Sequence, residues 1–142
     1  MTDEQLNQFT SRIKNVQSDL KPSFGKMNAH QMIVHCADQI RVALNYKKVN
    51  RETADPRDIM RMVKAGETVP TPKGLDQVKG EGTPTTTLDN DKVLLVELVE
   101  EFYHSSTDMS YGDHPYFGPQ DKHGWSRMVV YHLEHHLSQF GA

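Results

Sequence analysis

Histidines and carboxylates are the side chains through which a cysteine-poor chain holds a metal or moves a proton. Here eight histidines are spread over 142 residues that contain one cysteine, Cys36. Three of the eight lie within five positions of the stretch YHLEHHLSQF, residues 131–140. On a helix with Trp125 set at zero, Val129 falls at about 40°, Met128 at about 300° and Phe140 at about 60°, so the apolar direction is at about 10°. His132, at about 340°, and His136, at about 20°, straddle it, while His135 lies at the rim at about 280°. Two imidazoles one turn apart and aimed at a core carry nitrogens that cost free energy unless they are paired. Either they are core histidines bonded to carbonyls, hydroxyls or water, or they are two metal ligands at the spacing by which a helix presents a pair. The chain has no HExxH, so Glu134 is not assigned the part of a metalloprotease base.

A third ligand has to come from another helix. The stretch from Asn28 to Asn45 offers His30 and His35; it puts Met32, Cys36, Ile40 and Ala43 on one face and Gln31, Asp38 and Arg41 on the other. His35, at the edge of the apolar face, is the candidate, whereas His30 lies further round in the first turn. A set of His35, His132 and His136 with a fourth position open is the arrangement of a catalytic rather than a closed structural metal site. His104, His114 and His123, at helix ends or in loops, read as solvated surface residues. Cys36 reads as a small buried packing residue and the seven methionines as core filler.

Four long helices are expected to position these residues. Residues 2 to 20 open with Thr2 and Gln5 in capping-box spacing and carry Leu6, Phe9, Ile13, Val16 and Leu20 as one stripe. Asn28 and Gln31 start the second helix. The third runs from Leu88 to His104 with Leu95, Leu98, Val99 and Phe102 opposite Glu97, Glu100 and Glu101. The fourth runs from Lys122 to Phe140 between Asp121 as cap and Gly141. Asp55, Pro56 and Gly66 mark a short helix inside the long link between the second and third. A second connection, SSTDMSYGDHPYFGPQDKHG, is rich in Gly, Pro and aromatics and reads as an ordered cover that could wall a site with Tyr111, Tyr116 or Trp125. No alternating strand pattern is present. The fold class is therefore all-α, a four-helix bundle with a long crossover between helices 2 and 3, in a single domain over residues 1–142.

A net charge of −3 with no basic block gives no footprint for nucleic acid or an anionic membrane surface. No stretch approaches the roughly 20 apolar residues of a membrane span, and MTDEQLNQFT has no signal-peptide pattern, so a cytoplasmic protein is expected. One cysteine cannot form an internal disulfide framework, so any metal must be held by histidine and carboxylate.

FGKMNAHQMIVHCADQIRVAL at residues 24–44 and HPYFGPQDKHGWSRMVVYHLEHHLSQFG at 114–141 carry a resemblance to the DinB/YfiT-like superfamily of metalloenzymes. Within it the chain is similar to a subgroup with G-K-M-x-x-x-Q-M-x-x-H, H-P-x-F-G, a tryptophan opening the fourth helix, and H-x-x-H-H-x-x-Q-F-G. The resemblance implies a four-helix bundle with the long crossover and a divalent ion, often zinc or nickel, on one histidine of helix 2 and an H-x-x-x-H pair of helix 4. Carried onto this chain, those are His35, His132 and His136. His123 and Gly124 depart from the acidic or helix-forming residues common before the tryptophan. Relatives in the superfamily include transferases using low-molecular-weight thiols such as bacillithiol, a mycothiol-dependent isomerase and metal-dependent hydrolases. That implies a small-molecule substrate, a low-molecular-weight thiol as co-substrate, and a homodimer formed through bundle faces. Two functions stay open: a metal-dependent enzyme that activates a thiol or water, of thiol S-transferase or hydrolase type, and a non-catalytic, metal-stabilised bundle acting as a binding or interaction module.

Overall fold

Each helix begins where a short polar side chain can take over the backbone donors that its first turn leaves unpaired. In the computed structural model, which describes residues 1–142, Thr2 caps α1 (Asp3–Lys14) and Asn28 caps α2 (Ala29–Ala43), each in a reciprocal box with Gln5 or Gln31. Asp55 precedes α3 (Pro56–Lys64), Thr87 caps α4 (Leu88–His104) and Asp121 caps α5 (Lys122–Gln139). One 3₁₀ turn, Gln77–Lys79, lies in the crossover, and no strand forms. Gly141 ends α5 at φ 65°, a left-handed conformation that glycine adopts at little cost.

Helix α1 is shorter than its apolar stripe implies. It ends at Lys14, yet Val16 is fully buried and Leu20 packs against the core from the following turns. The stripe records where side chains land; it does not require the helical hydrogen bonds to continue, and Lys92 Nζ donates to the freed Val16 carbonyl at 2.9 Å.

Helices α1 and α2 each pack between α4 and α5. Long-range bonds give the directions. His30 at the start of α2 meets Asp91 at the start of α4 at 2.6 Å, and Tyr46 just beyond α2 bonds Glu101 near the end of α4, so these neighbours run parallel. Gln139 at the end of α5 donates to Phe24 O, ahead of α2, at 2.7 Å, which makes α2 and α5 antiparallel. Parallel neighbours of this length, about 22 Å at 1.5 Å per residue, cannot be joined by a tight turn. Residues 44–87 make the return, as the bundle with one long crossover requires. The core runs through Ile13, Ile33, Ile40, Leu95, Val99, Phe102, Trp125, Val129 and Leu137. No helix is long and apolar enough to cross a membrane.

The methionines do not fill that core as expected: Met32 is buried, Met1, Met27, Met109 and Met128 are half-buried at its margin, Met62 is half-buried on α3 and Met60 is exposed. Asp38, expected on a solvent face, has no exposed surface. The returning crossover covers that side of α2, and Asp38 accepts hydrogen bonds from Thr83 N at 2.8 Å, Thr83 Oγ1 at 2.6 Å, Gln77 Nε2 at 2.9 Å and Arg41 at 2.9 Å.

Candidate metal centre

Antiparallel packing sets the middle of α2 against the C-terminal half of α5 and brings His35 to His132 and His136. The Nε2 atoms of His35 and His132 are 3.0 Å apart, and one ring nitrogen of each of the three histidines lies within 4.8 Å of the others. Along α5 the fully buried residues Trp125, Val129, Leu133 and Leu137 step round the helix by about 40° each, so the core direction lies at about 60° rather than at about 10° from Trp125. The pair therefore lies on the flank of the core that faces α2, not astride its centre. His35 and His136 are buried and His132 is half-buried as a residue, with its Nδ1 sealed from solvent.

Two of the three rings are fixed by bonds from their outer nitrogens. His35 Nδ1–H donates to the Leu75 carbonyl at 2.8 Å, with Gln77 Oε1 a second acceptor at 3.2 Å. Gln77 in turn donates to Asp38, so the crossover orients His35. His136 Nδ1–H donates to Gln139 Oε1 at 2.7 Å, and the amide of Gln139 is held the right way round by its donation to Phe24 O. With both Nδ1 atoms committed as donors, the Nε2 lone pairs of His35 and His136 are free to face the cluster. Gln139 is three residues after His136, a spacing visible in the sequence; Leu75 and Gln77 left no such signal, because a backbone carbonyl from a distant loop has no residue type to announce it.

Burial lowers the pKa of all three. It is the main cause at His35, at His132, which falls well below the ordinary value, and at His136, which falls to about 3. The neighbouring rings add to it at His132 and His136, since a proton on one disfavours a proton on the next. The imidazoles are neutral at physiological pH, the form in which they ligate metals. Tetrahedral coordination at about 2.0–2.1 Å separates ligand nitrogens by about 3.4 Å, within the range this cluster spans. The Nδ1 of His132 is buried without any partner, so the cluster does not satisfy itself by hydrogen bonding alone. Donor type, neutrality and spacing all fit a metal ion.

The remaining histidines divide differently from the expectation. His104 and His123 are exposed, and His30 pairs with Asp91. His135 sits at the rim, stacked on Tyr131 with ring centroids 5.7 Å apart, and is outside the cluster. His114 is not a surface residue. It is 9 % exposed and packs its ring on Trp125 at 5.2 Å and Phe117 at 4.8 Å, with a pKa lowered to about 4, chiefly by burial. The loop folds onto α5 because Trp125 Nε1–H donates to Gly112 O at 2.7 Å and Gly112 N–H to Ala43 O at 3.0 Å. Tyr111 bonds Ser105 and Ser106, and Tyr116 bonds Pro70, so both hydroxyls are used in holding the loops. Cys36 is buried with its thiol pKa raised by desolvation, as a packing residue requires. Glu134 lies on the outside of α5 and pairs with Arg12 of α1 at 2.6 Å.

A family model described as the DinB superfamily matches residues 1–140. No curated protein and no solved structure matches the chain.

Proposed function

The chain belongs to the DinB superfamily, and from that premise we propose that it is a metal-dependent enzyme whose divalent ion, zinc or nickel, is held by His35, His132 and His136 and serves a thiol-transfer or hydrolytic reaction on a small molecule. The observation that carries this reading is the convergence of three neutral imidazoles from two helices, two of them with their outer nitrogens already bonded to carbonyl acceptors. A divalent ion in such a set supplies Lewis acidity, lowering the pKa of a thiol or water beside it. The chain's own residues do the rest: Leu75 and Gln77 orient His35, Gln139 orients His136, and the surrounding core keeps bulk water from the buried side. Three uncharged ligands leave the ion's charge uncompensated, so an anionic partner such as a thiolate of low molecular weight suits the open side.

A non-catalytic, metal-stabilised bundle is the second reading. It is favoured by one observation: two surface concavities, along Arg57, Met60 and Arg61 of α3 and beside Tyr111, Pro119 and Asp121, have none of the three histidines in their lining. Metal analysis of untagged protein tests what the two readings share, with about one divalent ion per chain expected. Spectra of the cobalt-substituted protein separate them. A thiolate charge-transfer band on adding low-molecular-weight thiols supports the enzyme of transferase type, and a spectrum already saturated by protein ligands rejects both enzymatic forms.

A further inference from the structure

The hairpin ahead of α5 carries two hydrogen-bond donors that the proposed metal site does not use. His114 and Gly118 pair across it, N–H to O in both directions at 2.8 Å. Glu52 N–H donates to Pro115 O at 2.8 Å, which seats Arg51 beside the turn. Directly paired positions of such a ladder carry their side chains on one face. Gly118 has none, and the Arg51 guanidinium takes the place: a Cβ built on Gly118 would lie 2.4 Å from Nη1. The guanidinium thus lies opposite the His114 side chain, where its charge helps to lower the pKa of the ring.

Neither donor is used by the chain. Arg12, Arg41, Arg57 and Arg61 each pair with a carboxylate, whereas Arg51 pairs with none. Its neighbour Glu52 has Oε1 on Lys73 N–H at 2.8 Å. The His114 ring is held by its other nitrogen: Nδ1 accepts from Tyr116 N–H at 3.0 Å and Phe117 N–H at 3.2 Å, which puts the proton of the neutral ring on Nε2. That Nε2–H bonds no group of the chain. The buried polar side-chain atoms that are both sealed and partnerless are Gln39 Oε1 and His132 Nδ1, so solvent reaches His114 Nε2. The ring lies on Trp125, two turns or about 10 Å along α5 from His132. It is near enough to His132 for a charge on one to disfavour a charge on the other.

We propose that Arg51 and His114 form a carboxylate subsite beside the histidine cluster, holding one end of an anionic small molecule whose other end meets the metal. The reading deepens the metal-enzyme proposal and rests on it for the reacting end of that molecule. The guanidinium and the imidazole N–H only donate, and a carboxylate only accepts. Its two coplanar oxygens match the guanidinium fork, and its single charge matches that of Arg51. An ammonium would set donors against donors. A phosphate dianion would leave one charge without a counterpart on the aromatic bed of Trp125 and Phe117.

The probes are 6-mercaptohexanoate and 6-mercaptohexanol, which share a thiol and a chain and differ in the carboxylate. Each is titrated into the full-length protein, metal-free and zinc-loaded, with affinity read by calorimetry and the His114 ring nitrogens followed by ¹⁵N NMR. The expected result is a saturable shift of His114 Nε2 with the acid and not with the alcohol, in both forms. In the zinc-loaded protein the acid should bind about tenfold or more tightly than the alcohol, the scale of a hydrogen bond to a charged group. Arg51→Gln should remove that preference and leave the affinity for the alcohol unchanged. Arg51→Lys, which keeps the charge without the fork, should restore part of it. Because the Arg51 side chain is exposed and unbonded, an unchanged melting temperature shows that the variants fold. A His114 shift no larger with the acid than with the alcohol, or one that survives in Arg51→Gln, overturns the subsite. Protein that takes up no zinc yet gives the acid-specific shift rejects the metal reading and keeps the subsite; protein that takes up zinc and binds both thiols without that shift does the reverse.

Discussion

His35 and His132, 97 positions apart in the chain, bring their Nε2 atoms to 3.0 Å. His35 Nδ1 is a donor to Leu75 O, so its Nε2 carries a lone pair, and a direct bond requires His132 to present Nε2–H. That leaves the sealed, unpartnered Nδ1 of His132 as a bare acceptor. The contact therefore trades one satisfied nitrogen for one orphan. It is a poor structural hydrogen bond and a good spacing for two ligands.

Alanine at His35, His132 or His136 is expected to abolish stoichiometric metal uptake, while His135→Ala retains it, because only the first three converge. Bound metal after equal exposure and gel filtration is the measurement. Loss in His135→Ala with retention in His136→Ala would reverse the assignment of the α5 face.

Metal that binds only the folded chain should raise stability by RT ln(1 + [L]/Kd), about 2.7 kcal/mol at a hundredfold excess over Kd. Urea midpoints are compared with and without chelator. An unchanged midpoint after verified removal of metal would leave the three histidines as core residues.

Acid should destabilise the metal-free protein well above the carboxylate range. The pKa of His114 is about 4 in the folded chain against 6.5 as its ordinary value, so the unfolded chain binds the proton more tightly. The contribution of the neutral ring is complete above pH 6.5 and is lost as pH falls toward 4, by about 1.4 kcal/mol per pH unit. Unfolding free energies measured across that window should be steeper in the wild-type protein than in His114→Asn. Equal slopes would mean that His114 titrates normally and is not buried.

Asp38→Ala should cost about 3 kcal/mol or more, since it leaves Arg41, Gln77 and both donors of Thr83 facing a buried gap. Because Gln77 also accepts from His35, metal affinity should fall by about tenfold or more, as for other groups that orient a ligand. Isothermal titration beside thermal melts separates the two effects; a destabilised variant with unchanged affinity would show that Leu75 O alone orients His35.

The sequence by itself determined what depends on neighbours in the chain. The caps at Thr2, Asn28, Asp55 and Asp121, the extents of α2, α4 and α5, and the placing of His132 and His136 on one side of α5 all follow from spacings of three and four residues, and a helix expresses those spacings directly. The tertiary structure alone decided what covers each face. Asp38 reads as exposed and His114 as a surface residue because periodicity describes one helix or loop at a time. The parallel run of α2 and α4 sends the crossover over Asp38, and the bonds of Gly112 to Ala43 and Trp125 lay the 111–118 loop over His114. The tautomers of the site were equally hidden: His35 is set by a carbonyl 40 residues away, and a backbone oxygen is common to every residue, so no pattern of side chains could announce it.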